Sequence, residues 1–247
     1  MLANEQYTPQ EVLQIIVAVY LLQEAYDPTV LSGQQLTSDT TISDYIDISD
    51  LLPPKPLARY FHKLFELPNP PIELEEILAE DESTLGHLCN YIAQHAAKEI
   101  IMPITLLGQS CDTAAIFKKL ITNLQKRGVK TGKIKPSSLL IPLFKQYGGI
   151  ITEEVNKMAP GALSKFEYTN NFLVRTGQTL TIVTIFSLII VPLIWQFHWS
   201  LLMPLTLGLT LIFTSRLFKP EKEIIENYVT IRDLIVGIQL KLSKSPY

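Results

Sequence analysis

The sequence predicts a mainly α protein: a cytosolic helical domain, then a two-helix transmembrane hairpin, then a C-terminal amphipathic helix. Three observations predict it. Apolar residues recur at steps of three and four along most of the chain, and no segment sustains a two-residue alternation. Between Arg175 and Arg216 there is not one Asp, Glu, Lys or Arg. Beyond that interval Ile224, Tyr228, Ile231, Ile235, Ile238 and Leu242 follow each other at alternating steps of four and three. The expected organisation is a domain over 1–165, a hairpin over 176–216 with spans near 178–195 and 199–215, and a cytosolic helix over 220–243.

The first helix has a strong start signal. Thr8-Pro-Gln-Glu11 has the form of a capping box with proline in the first helical position, and Val12, Ile15, Ile16, Val19 and Leu22 follow at helical spacing. Asp27-Pro28 ends it. Residues 31–56 are rich in Ser, Thr, Asp and Pro, which predicts a loop or linker. A short helix over Leu57–Leu67 is stopped by Pro68, and Ile72–Ala79 forms an acidic helical turn or two. Ser83 or Thr84 caps a helix carrying Leu85, Leu88, Cys89, Ile92 and Ala96 on one stripe. Pro103 and Gly108 punctuate an apolar segment that reads as strand or loop.

Asp112 is expected to cap a helix with Ile116, Phe117, Leu120, Ile121 and Leu124 inward, closed by Gly128. Ser137 or Ser138 starts another helix reaching Tyr147, and Thr152-Glu153-Glu154 starts a shorter one ended by Pro160-Gly161. In the tail, Ile225, Val229, Val236 and Leu240 broaden the heptad-like stripe beyond a narrow dimer seam. That stripe reads either as packing on the protein's own domain or as a seam for a homo-oligomer. Gly237 within it costs a helix about 1 kcal/mol relative to Ala.

The uncharged interval spans about 40 residues, or two bilayer crossings at about 20 each. Backbone groups in a bilayer must close their hydrogen bonds internally, so such a run is expected to be helical. Pro192 and Pro204 would be tolerated there, and Trp195, His198 and Trp199 mark the turn and suit a headgroup interface. Arg175 and Arg216 bound the hairpin, joined by Lys165, Lys219 and Lys222, while the turn carries no positive charge. The positive-inside bias therefore places both termini in the cytoplasm of a two-pass integral membrane protein. The competing reading is a buried hairpin within a soluble bundle, which would ordinarily show charge at an exposed edge.

The chain has 247 residues, 47% of them hydrophobic, and that excess is concentrated in the hairpin. Net charge is −3, which excludes a bulk polyanion binder. No Lys or Arg precedes Lys55, so a secretory signal with a basic leader region is not expected. Lys118, Lys119, Lys126, Arg127, Lys130, Lys133 and Lys135 form a locally basic run. It reads as a solvated face or as a patch for anionic membrane headgroups; without interleaved aromatics, nucleic acid is disfavoured.

No phosphate-binding loop, dinucleotide fingerprint or nucleophile elbow occurs. His87, Cys89, His95 and Cys111 lack the paired spacing of a zinc site, so no metal, cofactor or catalytic residue is assigned. The expected role is a non-enzymatic, membrane-anchored interaction or scaffold module, with membrane lipids and a protein as partners. The alternative is an oligomeric pore-forming effector gated by its cytosolic domain, lined by Thr181, Thr184, Ser187, Thr206 and Thr210. A third class is an enzyme acting on a substrate close to the membrane.

Overall fold

The computed structural model describes residues 4–27, 30, 33–49, 53–68, 70, 72–80, 82–106, 108–168, 179, 181–184, 206–208, 210, 223–225 and 228–244. The chain is mainly helical. It divides into two compact units, one made of residues 1–166 with 224–247 and the other of 167–223.

In the first unit, α1 (Pro9–Tyr26) starts as its sequence dictates. Thr8 Oγ1 accepts the Glu11 amide at 3.2 Å, and the Glu11 carboxylate accepts the Thr8 amide at 2.9 Å. This reciprocal cap satisfies two amides that the first turn would otherwise leave open. The 31–56 segment is not wholly loop, because α2 (Ile42–Ser49) forms there and α3 begins at Pro54. Ile42 and Tyr45 bury one face of α2, which overrides a composition that reads as linker.

Next come α3 (Pro54–Leu64), α4 (Ile72–Ala79) and α5 (Leu85–His95), the last capped by the Thr84 hydroxyl accepting from the His87 amide. Together with α1 and α2 they enclose one core, which includes Val12, Ile15, Ile16, Phe61, Leu74, Leu88 and Ile92.

Strand β1 (Asn4–Gln6) pairs antiparallel with β2 (Ala97–Glu99), and the Lys98 ammonium bonds Glu11 at 2.7 Å. The punctuated segment after Pro103 is a hairpin of β3 (Ile104–Leu106) and β4 (Gln109–Cys111). Helix α6 (Asp112–Lys126) follows with Cys111, not Asp112, at its cap. It ends as expected at Gly128, whose φ of +85° closes a Schellman turn. The Gly128 amide reaches the Gln125 carbonyl and the Val129 amide the Leu124 carbonyl, each at 3.0 Å.

The two helices expected between Ser137 and Met158 adjoin across a kink as α7 (Leu140–Met158): the first ends at Tyr147 as expected, where φ −135° and ψ 23° are not helical, and the second is already under way before Thr152. The kink precedes Gly148-Gly149, a pair of weak helix formers of the kind where sharp bends occur.

The C-terminal helix requires a correction. Glu223–Ile225 is a strand, and α8 covers Ile231–Lys244. Ile224 lies in the strand and Tyr228 precedes the helix, so the heptad-like series is not one continuous helical stripe. Thr230 and Asp233 set the start. The Asp233 carboxylate accepts the Thr230 amide at 2.8 Å, and Thr230 Oγ1 accepts the Asp233 amide at 3.3 Å. Ile231, Leu234, Ile235 and Ile238 are buried with Leu120, Leu124, Phe144 and Val155 in a second core shared by α6, α7 and α8. Each such side chain contributes roughly 1.5–3 kcal/mol by leaving water. Leu242 is partly buried against the same core. Helix α1 packs on α7 and thereby joins the two cores.

A third two-stranded sheet pairs β5 (Phe166–Tyr168) with β6 (Glu223–Ile225). In the second unit, residue 179, residues 181–184, residues 206–208 and residue 210 are helical. Ile182, Val183 and Leu207 are exposed on these turns. Among the described residues no helix is long and apolar enough to cross a membrane. Most of the expected hairpin, including Arg175, Trp195, His198, Trp199 and Arg216, lies outside the described residues.

Candidate functional site

The second half of α7 is the chemically unusual part of the first unit. Thr152, Glu153, Glu154 and Asn156 are all buried there, alongside apolar Ile151 and Val155. An unpaired buried charge is prohibitive, so the two carboxylates must find partners, whereas the buried Thr152 hydroxyl has no hydrogen-bond partner among the described residues. Asn156 accepts the Leu163 amide and donates to the Leu163 and Thr152 carbonyls, fastening the turn after α7. Arg127, the C-cap of α6, reaches across as a fork. Its Nη2 donates to Glu153 at 2.6 Å and its Nη1 to Glu154 at 2.9 Å. Tyr60 on α3 donates its hydroxyl to the second Glu153 oxygen at 2.9 Å.

These contacts decide the protonation states around them. Burial alone would lower the Arg127 pKa, but its hydrogen bond to Glu153 and the two carboxylate charges raise it above its ordinary value. Burial, then the charge of Glu153, pushes the Tyr60 phenol well above its ordinary range. Arg127 is therefore bound to an internal ion network. Its expected place in a membrane-facing basic run is corrected, because two buried carboxylates hold its guanidinium.

Beside this network opens a cleft of about 520 Å³. Its walls come from the chain before α1 (Tyr7), the turn after α3 (Phe65, Glu66), the end of α5 (His95), α6 (Lys119, Lys126, Arg127) and α7 (Glu154, Lys157). Tyr7 and Phe65 meet edge to face, with ring centroids 6.1 Å apart. The Tyr7 hydroxyl donates to the Lys157 carbonyl at 2.9 Å, and burial keeps that phenol protonated far above its ordinary pKa. Lys157 lies between two carboxylates, 3.1 Å from Glu66 and 3.7 Å from Glu154. Burial alone would raise Glu66, yet Lys157, Lys126 and Lys119 together bring it below its ordinary value. Lys119 is lowered first by burial and then by the charge of Lys126.

Of the basic run read from the sequence, only Lys119, Lys126 and Arg127 converge on this cleft. Lys118, Lys130, Lys133 and Lys135 are exposed and line no part of it. Of the tail residues, Ile231, Ile235 and Ile238 are core, Tyr228 and Leu242 pack at its edge, and Ile224 is in β6.

The metal-ligand types are dispersed. Burial pushes the Cys89 thiol up to about 12, whereas the Thr113 hydroxyl bonded to Cys111 lowers that thiol. His87 bonds the Ser83 hydroxyl, and His95 donates to the Tyr91 carbonyl. Among the described residues no group of three such side chains could hold a metal ion.

Sequence reasoning missed Tyr7, Tyr60, Glu66, Glu153, Glu154 and Lys157. One signal pointed to Glu153 and Glu154. Ile151, Val155 and Met158 form a core stripe at helical spacing, and the two carboxylates fall within its span. Reading Thr152 as a helix start concealed it. Comparison of the chain with protein-family models, with curated proteins and with solved structures finds no match.

Proposed function

We propose that the protein is a non-enzymatic interaction module held at a membrane by a hairpin over residues 176–216, with its helical unit and both termini on the cytoplasmic side. One observation carries the reading. Ile182, Val183 and Leu207 are exposed on helical turns inside an interval that has no charged side chain from 176 to 215. In water those side chains would favour burial; in hydrocarbon their exposure is the stable arrangement. The pairing of β5 with β6 supports a hairpin, since the chain before and after residues 169–222 meets in one sheet. Exposed Lys118, Lys130, Lys133 and Lys135 would add attraction to anionic headgroups, up to about 1 kcal/mol for each residue near the surface.

The pore alternative, which rests on the Ser and Thr content of the spans and on the heptad-like tail, loses the second of these supports. Ile231, Ile235 and Ile238 are engaged in the protein's own core and do not offer a seam to a second copy.

The test combines alkaline extraction of membranes with glycosylation acceptors introduced beside Trp199 and, separately, at each terminus. The expected result is retention in the membrane pellet, with only the acceptor beside Trp199 modified. Release of the intact chain into the alkaline supernatant would refute the anchor. Modification at a terminus would refute the orientation. Crosslinking of the membrane-bound protein, repeated without any protein partner recovered, would refute the scaffold role.

A further inference from the structure

We propose that the cleft between α7 and the turn after α3 binds a small organic monocarboxylate with an apolar body, and that Glu66 is the internal stand-in for its carboxyl group. All the residues involved lie in the first unit, so the site stands whether or not residues 176–216 enter a bilayer.

Two independent observations lead to it. The first is backbone strain. Glu66 has φ +52°, the only positive value at a non-glycine position among the described residues. It follows the C-cap of α3, where the Leu67 amide closes back on the His62 carbonyl at 3.1 Å. Gly128 fills the corresponding position after α6, as glycine usually does, because a Cβ there crowds the backbone. Strained residues of this kind concentrate at ligand sites. The side chain held at this cost reaches Lys157 Nζ at 3.1 Å, yet it is 81% exposed. So exposed an ion pair holds weakly, and an external anion can exchange with its carboxylate.

The second observation is how Lys157 is held. Its side chain is only 15% exposed and its ammonium also lies 3.7 Å from Glu154. Glu154 is itself buried and bonded to Arg127 at 2.9 Å, which fixes it in place. The Tyr7 hydroxyl secures the Lys157 carbonyl at 2.9 Å. The ammonium therefore has one fixed carboxylate on its inner side and one exchangeable carboxylate on its outer side. The ligand class follows from the group displaced. A carboxylate in place of Glu66 leaves the net charge of the cleft unchanged, whatever other cations line it, and keeps a charge-assisted bond to Lys157. A neutral ligand would take away that outer partner, and a cation would be repelled.

The cavity of about 520 Å³ exceeds the needs of a carboxyl group and falls in the range of small-molecule sites. Tyr7, Phe65 and Met158 give it an apolar wall, and exposed Pro68 and Ala97 add to the lining. Tyr7 and Phe65 meet edge to face, with ring centroids 6.1 Å apart, and an aromatic or short alkyl body suits such a surface.

The experiment uses the full chain in neutral detergent at fixed ionic strength and neutral pH. 3-Phenylpropionate is titrated by calorimetry against a detergent blank. Saturable binding is expected, tightened up to about fivefold in Glu66→Gln, because the internal competitor loses its charge. The neutral isostere 3-phenylpropionamide should bind at least about tenfold more weakly, and so should 3-phenylpropionate to Lys157→Gln. Far-UV circular dichroism checks that each variant keeps its helices; should Lys157→Gln lose them, the acid and amide compared on wild type decide the point. No saturable heat in wild type and Glu66→Gln overturns the site. Equal affinity in folded Glu66→Gln and wild type overturns the role of Glu66. The amide binding as tightly as the acid overturns the ligand class, and undiminished binding to folded Lys157→Gln overturns the anchor. N-Acetylphenylalanine binding more tightly than 3-phenylpropionate would overturn a simple acid in favour of a peptide C-terminus.

Discussion

Replacing Arg127 with methionine removes the guanidinium that binds Glu153 at 2.6 Å and Glu154 at 2.9 Å, while keeping much of its stem. The glutamate side chains are only 12% and 3% exposed, so water cannot take over the lost bonds. Lys157 remains 3.7 Å from Glu154, and the Tyr60 hydroxyl still donates to Glu153. Breaking a buried pair by deleting one partner costs about 3–5 kcal/mol, and partial access at Arg127 argues for the lower end, about 3 kcal/mol. In a unit of about 190 residues that corresponds to a fall in Tm of roughly 6–12 °C. Thermal denaturation of the full chain, followed by far-UV circular dichroism, measures it. The companion variant Arg127→Met/Glu153→Gln/Glu154→Gln should recover most of the loss, because neutralising a whole buried ion group costs far less than orphaning part of it. A loss below about 1 kcal/mol in the single variant would mean that the fork behaves as a surface ion pair. A triple variant no more stable than the single one would equally refute the account.

Two further outcomes follow from particular contacts. Gly237→Ala should destabilise the protein, although helix propensity alone favours it by about 1 kcal/mol. The Tyr228 ring lies where the new Cβ would go, so a higher Tm for the alanine variant would refute that packing. Acidification should also destabilise the fold. Glu11, Glu66 and Asp233 are all held below their ordinary values, 4.5 for the glutamates and 3.8 for the aspartate. For Glu11, burial opposes this and the Lys98 bond outweighs it. The folded protein therefore binds fewer protons than the unfolded chain in this range. Its stability from these groups is complete above their ordinary values and is lost as pH falls through the lower folded ones. Denaturation curves between about pH 6 and about pH 3 should show a falling Tm, with a shallower fall in Glu11→Gln. A Tm that is flat or rises on acidification would contradict these shifts.

Much of the helical order was legible because its signals are local. The capping box of Thr8 and Glu11, the Thr84 cap and the Gly128 closure each need only a few neighbouring residues. The equivalent box of Thr230 and Asp233 is just as local, but the apolar periodicity running through it from Ile224 masked it. Periodicity reports which residues want burial and not where the backbone changes state. The linker composition of 31–56 concealed α2 for the converse reason, since Ile42 and Tyr45 form a helix only with a core to bury against. The candidate cleft was half visible. Lys119, Lys126 and Arg127 stood out as a basic run, but nothing in a linear charge pattern separates an exposed lysine from one facing a carboxylate.

By itself, then, the sequence determined the helical class, the caps that start α1 and α5 and close α6, and the uncharged interval between Arg175 and Arg216. These depend on backbone hydrogen bonding and on hydropathy over short windows. Tertiary structure alone decided that the C-terminal helix completes the core of α6 and α7. It also decided that Arg127 serves Glu153 and Glu154, and that Glu66 meets Lys157 from 91 residues away. Electrostatic partners act through space at a few ångströms, and only the folded chain brings residues so distant in sequence to that range.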